Sequence, residues 1–484
     1  MEIIPVPWFD QPNPIPTLRT RTFFIINYPL DADVLHAGLD HLIRIHWRKL
    51  GSRLVWSRQR KRLEYHLPHN FEDDHVLFRW SLKAYSKSIH AVQELSTITS
   101  PTGGIAFLPS MDAIDKLARP SDWPFERKDE PPNSPLLYVH LTNFNDATIV
   151  AMSCPHTLAD QHGVANIVKA WLSVVQGRAP PEMVGYKDDV LGQERFSSEP
   201  KGLEPRTGRM RLRGKRDQVL VGGGFARDLL EETKEESHIV FIPIELIQHL
   251  RAKARRDLAN NDELAEDISN GDIVTAVLTK FVRMHQTREY NICLSQVINL
   301  RGRIPELEAE KGEGFVHNSL HYATASFRIS PCTPLREIAF QNRKAVIKGL
   351  QQEDIEAGQR VLCKVAKSGQ SMLICEPHHR VYNVSNWCRA WQGIDFSIAA
   401  VTPNSDANET REPLVLGQGR PLRNMGRCER IDEDSVFIET DCITDSTSIM
   451  CRTKRGFWCD FAAPIKSMKL IKEYLAQDPA LENL

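Results

Sequence analysis

The chain has 484 residues, of which 41% are hydrophobic and 25% charged, and its formal net charge is −1. This length exceeds one typical hydrophobic core, so we expect two domains of about 200 residues. The balanced charge argues against a nucleic acid partner, and no apolar run reaches the roughly 18 residues that a membrane-spanning helix needs. The start, MEIIPVPWFDQPNP, lacks the pattern of a secretory signal. We therefore expect a cytoplasmic protein with no membrane partner.

The ten cysteines are scattered, with no CxxC pair and no cysteine–histidine spacing typical of a zinc site. We therefore expect reduced cysteines that pack in the interior, and no bound metal. Cys154 precedes His156 by two residues and is a candidate nucleophile. However, two such residues on a strand lie about 7 Å apart, which favours the histidine as the reactive group.

The first 177 residues alternate between strand and helix patterns. Runs of apolar and β-branched residues predict strands, and apolar residues at i, i+3, i+4 and i+7 predict helices. In chain order, we predict a strand at Phe23–Tyr28, a helix at Asp31–Leu50, a hairpin of Leu54–Trp56 with Leu63–His66, a strand pair of Leu136–Leu141 with Thr148–Met152, and a helix after His156 that ends near Gly177.

Residues 178–236 differ in character from what precedes them. They contain Pro180-Pro181, a basic run at 209–216 and three consecutive glycines at 222–224. This composition predicts a long, largely irregular connection. The basic run is either a solvated part of this connection or lies near a phosphate-bearing ligand.

The alternation resumes after this connection, and mixed strands and helices argue for an α/β fold. We predict strands at 238–243, 292–300 and 320–327, helices at 244–258, 270–285 and 334–350, and a strand at 449–461 followed by a helix from Ala463. The chain thus divides into an N-terminal lobe (1–177), a crossover linker (178–236) and a C-terminal lobe (237–484).

The run SCPHTLADQHG places His156 four residues before Asp160, between a strand pattern and a helix pattern. A histidine at the end of a strand can face a cleft, and its unperturbed pKa of about 6.5 suits proton abstraction at neutral pH. The alternative interpretation is a capped turn, in which Asp160 caps the next helix and His156 is a packing residue.

Four further segments accompany this motif. They are Asn270–Ala276 (NGDIVTA), Val297–Arg303 (VINLRGR), Gly314–Ser319 (GFVHNS), and Asn383–Trp387 (NVSNW) followed by Gly393–Phe396 (GIDF). In this order, and together with the HxxxD spacing, they resemble the CoA-dependent acyltransferases of the BAHD and trichothecene acetyltransferase kind. The fungal members of that HxxxD family are the nearest in pattern, and the resemblance covers nearly the whole chain.

The resemblance implies two chloramphenicol acetyltransferase-like lobes, each a mixed β-sheet covered by helices, with an active-site channel at their interface. It also implies a monomer that transfers an acyl group, with acetyl favoured, to a hydroxyl of a small secondary metabolite such as a terpenoid, alkaloid or polyketide. Acyl-CoA, with acetyl-CoA favoured, would be a co-substrate in a ternary complex, and no cofactor would be bound permanently.

The resemblance also assigns roles to residues. His156 would be the general base, with His162, His317, His378 and His379 as rival bases. Asp160 would orient the imidazole through an ion pair with Arg301, and Asp395 would be structural. Substrate contacts would come from Asn318, Ser385, Asn386 and Trp387, and CoA contacts from Ser269 and Asn270 at a helix start.

Two departures from the family pattern keep alternatives open. Gln161 follows Asp160 where many members have glycine, and Asp395-Phe396 continues as Ser397–Ala399 where plant members have Gly-Trp-Gly. The donor to the oxyanion is therefore unassigned. One alternative is a condensation-type, amide-forming domain, although that family usually has a histidine where this chain has Pro155. The other is a catalytically degenerate binding protein of the same fold, which the loss of Gly-Trp-Gly favours.

Overall fold

The structure is a computed structural model, and it describes residues 1–12, 15–99, 101, 103–192, 213–231, 234–259, 263–368, 376–401, 413–418 and 446–484. Its strands are β1 (Glu2–Pro5), β2 (Arg19–Ile26), β3 (Arg53–Ser57), β4 (Arg62–Leu67), β5 (Arg79–Ala84), β6 (Ala106–Leu108), β7 (Tyr138–Asn143), β8 (Thr148–Pro155), β9 (Glu235–Pro243), β10 (Tyr290–Asn299), β11 (Leu320–Ile329), β12 (Arg380–Asn386), β13 (Leu414–Gln418), β14 (Ser446–Arg452) and β15 (Gly456–Pro464).

The α-helices connect these strands and cover the sheets that they form. They are α1 (Ala32–His41), α2 (Gln93–Thr99), α3 (Met111–Ala118), α4 (Gln161–Val175), α5 (Lys215–Glu231), α6 (Ile244–Leu258), α7 (Asn270–Val282), α8 (Glu310–Glu313), α9 (Leu335–Gly349), α10 (Gln352–Ser368) and α11 (Ile465–Gln477).

The strands form two large mixed sheets and one small sheet. The five-stranded sheet has the order β13-β2-β8-β7-β5, the seven-stranded sheet β11-β10-β12-β14-β15-β9-β6, and the small sheet β1-β4-β3. Both large sheets combine parallel and antiparallel pairs: β5 runs parallel to β7, and β12 runs parallel to both β10 and β14. The predicted α/β fold with two helix-covered mixed sheets is therefore confirmed.

Each large sheet has its own hydrophobic core. The core around the five-stranded sheet includes Phe24, Leu39 and Trp171, all fully buried. The core around the seven-stranded sheet includes Ile273 and Phe281, on the buried face of α7. Burial of such side chains stabilises each sheet and its helices by roughly 1.5–3 kcal/mol per large apolar residue.

The two large sheets exchange their edge strands. β6 lies before the 178–236 connection but pairs with β9 at the edge of the seven-stranded sheet. β13 lies after the connection but pairs with β2 at the edge of the five-stranded sheet. A division of the chain at 178–236 therefore leaves one strand of each half in the sheet of the other half.

Three predicted elements differ in the structure. Residues 215–231, predicted to be irregular, form α5, whose buried Val221 anchors a helix that its three glycines disfavour. The single strand predicted at 449–461 is the hairpin β14–β15, because the polar turn at 453–455 interrupts it. The predicted helix Asp31–Leu50 ends at His41 and continues as a π-turn and a 3-10 turn.

The described cysteines are all free, and most of them are buried as expected. No group of three or more histidine, cysteine or acidic side chains in the described ranges could hold a metal ion. Among the helices of those same ranges, none combines the length and apolar character needed to cross a membrane. Residues 209–212 of the basic run lie outside the described residues.

Helix α4 begins in direct contact with the segment 315–319, which belongs to the second half of the chain. A Cβ atom added at Gly163, in the first turn of α4, would lie 1.8 Å from the carbonyl oxygen of Val316. No side chain can occupy that distance, so glycine is required here for the close approach of the two segments.

We predict that Gly163→Ala lowers the free energy of unfolding by about 3 kcal/mol or more, because the new methyl group overpacks a rigid backbone contact. Gly271→Ala is the matched control, since it lies in the first turn of α7 and its nearest contact would be an ordinary 3.4 Å. We expect the control to change stability by less than about 1 kcal/mol. Urea unfolding of both variants measures the difference, and equal losses would contradict the steric argument.

Candidate active site

His156 is the first residue after β8, and its main chain is fixed from two sides. Its N–H donates to the carbonyl of Leu18, at 2.9 Å. Its carbonyl accepts from Asn318 Nδ2, at 2.7 Å. The residue is half-buried, so a fixed backbone presents an imidazole that remains partly accessible. Rigid support and partial exposure are what a general base at a cleft requires.

Asp160 is buried, and its hydrogen bonds join the start of α4 to the second half of the chain. Oδ1 accepts from the N–H of Gly163 (2.7 Å) and thereby caps α4. Oδ2 accepts from Arg301 Nη1 (3.0 Å) and from the N–H of Ser319 (3.1 Å). Burial alone would raise the pKa of this carboxyl, but the charge and hydrogen bonds of Arg301 hold the pKa below its usual range.

The guanidinium of Arg301 connects Asp160 to the segment 315–319. Beyond the ion pair, Arg301 donates to Asn299 Oδ1 (2.9 Å) and to the carbonyls of Phe315 (3.0 Å) and His317 (2.6 Å). A planar guanidinium with five donors suits such a fork. The Arg301–Asp160 pair therefore sets the position of the 315–319 segment against the loop that carries His156.

Asn318, predicted to contact substrate, lies inside the protein. Its side chain is almost fully buried, and Nδ2 donates both to the His156 carbonyl and to Asp10 Oδ1, each at 2.7 Å. The amide therefore supports the main chain of His156 from behind.

The segment at the end of β12 lies beside the start of α7. The Asn386 amide nitrogen is 3.4 Å from the position that a Cβ at Gly271 would take. Ser385 Oγ accepts from Trp387 Nε1 at 2.7 Å, and Trp387 packs into the core of the five-stranded sheet. The structure thus brings the predicted substrate segment next to the predicted CoA segment, while it commits Trp387 to packing.

Ser269 and Asn270, predicted to contact CoA, open α7 through a capping box. Ser269 Oγ donates to Asp272 (2.7 Å), and Arg343 pairs with the same carboxylate. The negative charge favoured at this helix start is therefore supplied by Asp272. Asn270 Oδ1 is buried without a hydrogen-bond partner among the residues described, and contact of Ser269 and Asn270 with CoA stays a prediction.

Asp395, whose predicted role is structural, forms a local turn. Its Oδ1 accepts from the N–H of Ser397 at 2.8 Å. The adjacent Phe396 is fully buried, with its ring centroid 5.6 Å from Phe24 and 6.5 Å from Trp171. The segment therefore joins the second half of the chain to the core of the first, without the glycines and tryptophan found in plant members.

The rival bases are poorly placed or poorly suited for proton abstraction. His317 is almost fully buried. Burial lowers the pKa of His162 to about 4, despite the opposing effect of Asp160, so this imidazole is a weak base. His378 and His379 precede β12, whose first residue pairs with Ile292 at the end of β10 remote from Asn299.

Two buried charged residues beside the site, Asp10 and Lys49, were missed in the sequence. Each is at most 1% exposed. Lys49 follows the same spacing as Leu35, Leu39 and Leu42, so a charge on an apolar helical face was the available signal. Asp10 follows two aromatic residues, which gives a weaker indication of burial.

We predict that Asp160→Asn and Arg301→Ala each destabilise the fold by about 3–5 kcal/mol, because each leaves a buried charge without its partner. Both should also lower turnover, since the loop of His156 loses its support. The double variant should cost less than the sum of the two. Denaturant unfolding measures the free energy of unfolding of wild type, both single variants and the double variant. Strictly additive losses of this free energy would contradict a direct coupling between the two residues.

We predict a pH dependence from His162. Its folded-state pKa is about 4, below the unfolded value of about 6.5. As the pH falls, the unfolded chain therefore binds a proton at His162 before the folded protein does. The contribution of neutral His162 to stability, roughly 3 kcal/mol, should be lost as the pH falls from about 6.5 to about 4. Urea titrations of wild type and His162→Gln across this range measure the free energy of unfolding at each pH. The same dependence on pH in both proteins would contradict the prediction.

Comparison with known proteins identifies the family of this protein. The model of the Transferase family matches residues 123–397. Acetyltransferase BOT5 of Botryotinia fuckeliana is 27% identical over 440 residues, which cover 85% of this chain and 78% of that protein. Acetyltransferase adrJ of Penicillium rubens is 26% identical over 393 residues, 78% of either chain.

A crystal structure of F. sporotrichioides TRI101, complexed with coenzyme A and T-2, is similar over 98% of this chain and 97% of that chain. The TM-score is 0.62 and the identity 12%, so this likeness shows a common fold. The family match spans more than half of the chain. The protein therefore belongs to the Transferase family, the BAHD-type acyltransferases that its ordered motifs resemble.

Proposed function

We propose that the chain is an acyl-CoA-dependent O-acetyltransferase that acts on a hydroxyl of a small secondary metabolite. The observation that carries this proposal is His156, half-buried at the end of β8 and held by contacts from both halves of the chain. Two relatives named acetyltransferases, and a structure of the same fold that holds coenzyme A, support the choice of donor.

In the proposed mechanism, the imidazole of His156 accepts the proton of the acceptor hydroxyl as its oxygen attacks the thioester carbonyl. The C–O bond forms, and the resulting tetrahedral intermediate expels the CoA thiolate, which takes the proton from the imidazolium. Both substrates are bound together, and the acetyl group passes directly between them. General base catalysis of this kind contributes about 10²–10⁴-fold to a rate.

Cys154 does not suit a covalent route. The residue is fully buried, and burial raises the pKa of its thiol. Its Sγ lies 3.3 Å from Thr20 Oγ1, inside the five-stranded sheet. A protonated thiol without access to substrate is a poor nucleophile, so transfer without an enzyme-bound acyl group fits the site better.

The acceptor and the donor can be tested together. Thiol release from acetyl-CoA is followed against a panel of hydroxylated terpenoids, alkaloids and polyketides, and each product is identified by mass. Ester formation supports the proposal. Amide formation would favour the condensation-type alternative, and absence of thiol release with every acyl-CoA would favour a binding protein. The monomeric state and the cytoplasmic location stay predictions, and light scattering of the purified chain tests the first.

We predict that His156→Ala lowers turnover by about 10²–10⁴-fold, because the acceptor hydroxyl loses its base. The affinity for acetyl-CoA and the melting temperature should change little, since the contacts of His156 named above use its main chain. His162→Ala is the matched control, a nearby histidine in the first turn of α4 that should retain turnover. Wild-type turnover in His156→Ala would exclude the proposed base.

A further inference from the structure

Four buried polar side chains form a continuous chain that ends at the main chain of His156. Lys49 Nζ lies 2.8 Å from His317 Nε2, and His317 Nδ1 lies 3.3 Å from Asp10 Oδ2. Asp10 Oδ1 accepts from Asn318 Nδ2, which also donates to the His156 carbonyl. Each of the four side chains belongs to a residue that is at most 1% exposed.

Lys49, the first of these four side chains, also contacts the loop of His156 indirectly, through Tyr65. Lys49 Nζ donates to the carbonyl of Gly185 at 2.9 Å and lies 4.9 Å from the ring centroid of Tyr65. The Tyr65 hydroxyl in turn donates to the carbonyl of Thr157 at 3.1 Å, one residue after His156. The carbonyls of both His156 and Thr157 are therefore held by groups that contact the chain.

Burial of these side chains favours the neutral form of the His317 imidazole, which lies between Lys49 and Asp10. Burial and the nearby Lys49 charge hold the pKa of His317 well below its usual value. A neutral His317 can accept from Lys49 at Nε2. Its Nδ1 lies 3.3 Å from Asp10 Oδ2, without a hydrogen bond between the two atoms. Burial also raises the pKa of Asp10 well above its usual value and lowers that of Lys49 to about 7, although each group opposes the shift of the other.

We propose that Lys49, His317 and Asp10 are positioning residues for acyl transfer, which hold the Asn318 amide and thereby fix the main chain of His156. This inference rests on the proposed role of His156 as the base. A base acts only within hydrogen-bond reach of its proton, and a misplacement of about 1 Å can cost roughly 10²-fold in rate.

Fold stability alone does not explain why these four polar side chains are buried together. Buried charges are costly to desolvate, and apolar side chains of similar volume often stabilise a core at least as well. The hydrogen bonds from Lys49 to His317 and from Asn318 to Asp10 do what apolar packing cannot, because directional bonds select one geometry. Here the chain terminates on the carbonyl of the residue whose position the reaction depends on.

The test compares Asp10→Asn, Lys49→Met and the double variant with wild type and His156→Ala. Asp10→Asn is the mildest change, because its amide oxygen can still accept from Asn318. The double variant removes both ionisable groups, Asp10 and Lys49, together. The matched control is Glu376→Gln, which removes the acidic partner of the buried Arg213 (3.3 Å), beside Cys293 near the start of β10 and remote from Asn299.

We expect each single variant to lower kcat at least tenfold, with KM for acetyl-CoA and for the acceptor within about twofold of wild type. The double variant should recover part of the loss, and the control should keep kcat. If His156→Ala loses turnover while Asp10→Asn and Lys49→Met keep it, this inference is wrong and the proposed function stands. If His156→Ala keeps turnover, the proposed function itself fails.

Two other outcomes also overturn the inference. One is a fall in kcat of the control as large as that of the chain variants, which would make the effect a general result of a lost buried charge. The other is failure of all three chain variants to fold while the control folds, which would make the chain a determinant of folding. Melting curves and acetyl-CoA binding, measured on every variant, distinguish these cases.

Discussion

The ion pair between Asp160 and Arg301 is the constraint on which the site depends. The Asp160 carboxylate caps a helix of the first half, and the Arg301 guanidinium donates to five acceptors, three of which are main-chain carbonyls of the second half. Because the charge of Arg301 lowers the pKa of Asp160 against the effect of burial, the ionised form of the carboxylate that caps α4 is favoured. A lysine at position 301 could supply the charge but not the planar set of donors. The start of α4 and the segment 315–319 would then no longer be held in a fixed relative position.

The local elements of this fold were readable from the sequence, whereas their pairing was not. Helix α6 has the predicted bounds, since apolar residues recur at helical spacing on its buried face. The hairpin β3–β4 was also predicted, because two short apolar strands flank a polar turn. The exchange of β6 and β13 left no local signal, because each short strand finds its partner more than 100 residues away. Helix α5 was missed because three glycines hide a helix that tertiary contact secures.

The site shows the same division between what is local and what is not. His156, Asp160 and Arg301 were predicted as parts of the site. The prediction used the HxxxD spacing and the order of the later motifs. The motif that contains Asn318 was recognised, but the direction of its amide depends on Asp10, which lies 308 residues earlier. Lys49 was not singled out, because a charged residue is rarely buried and its spacing on an apolar helical face does not identify a distant partner.

The exchanged edge strands have a consequence for synthesis on the ribosome. The inner strand β2 is fully buried, and one of its edges is covered by β13, whose residues are translated about 390 positions later. At roughly 5–20 residues per second, the nascent first half therefore waits tens of seconds with an unpaired strand edge. Exposed edges of this kind can pair with other chains. The architecture that locks the two halves together thus creates a long interval in which the growing polypeptide would benefit from chaperones.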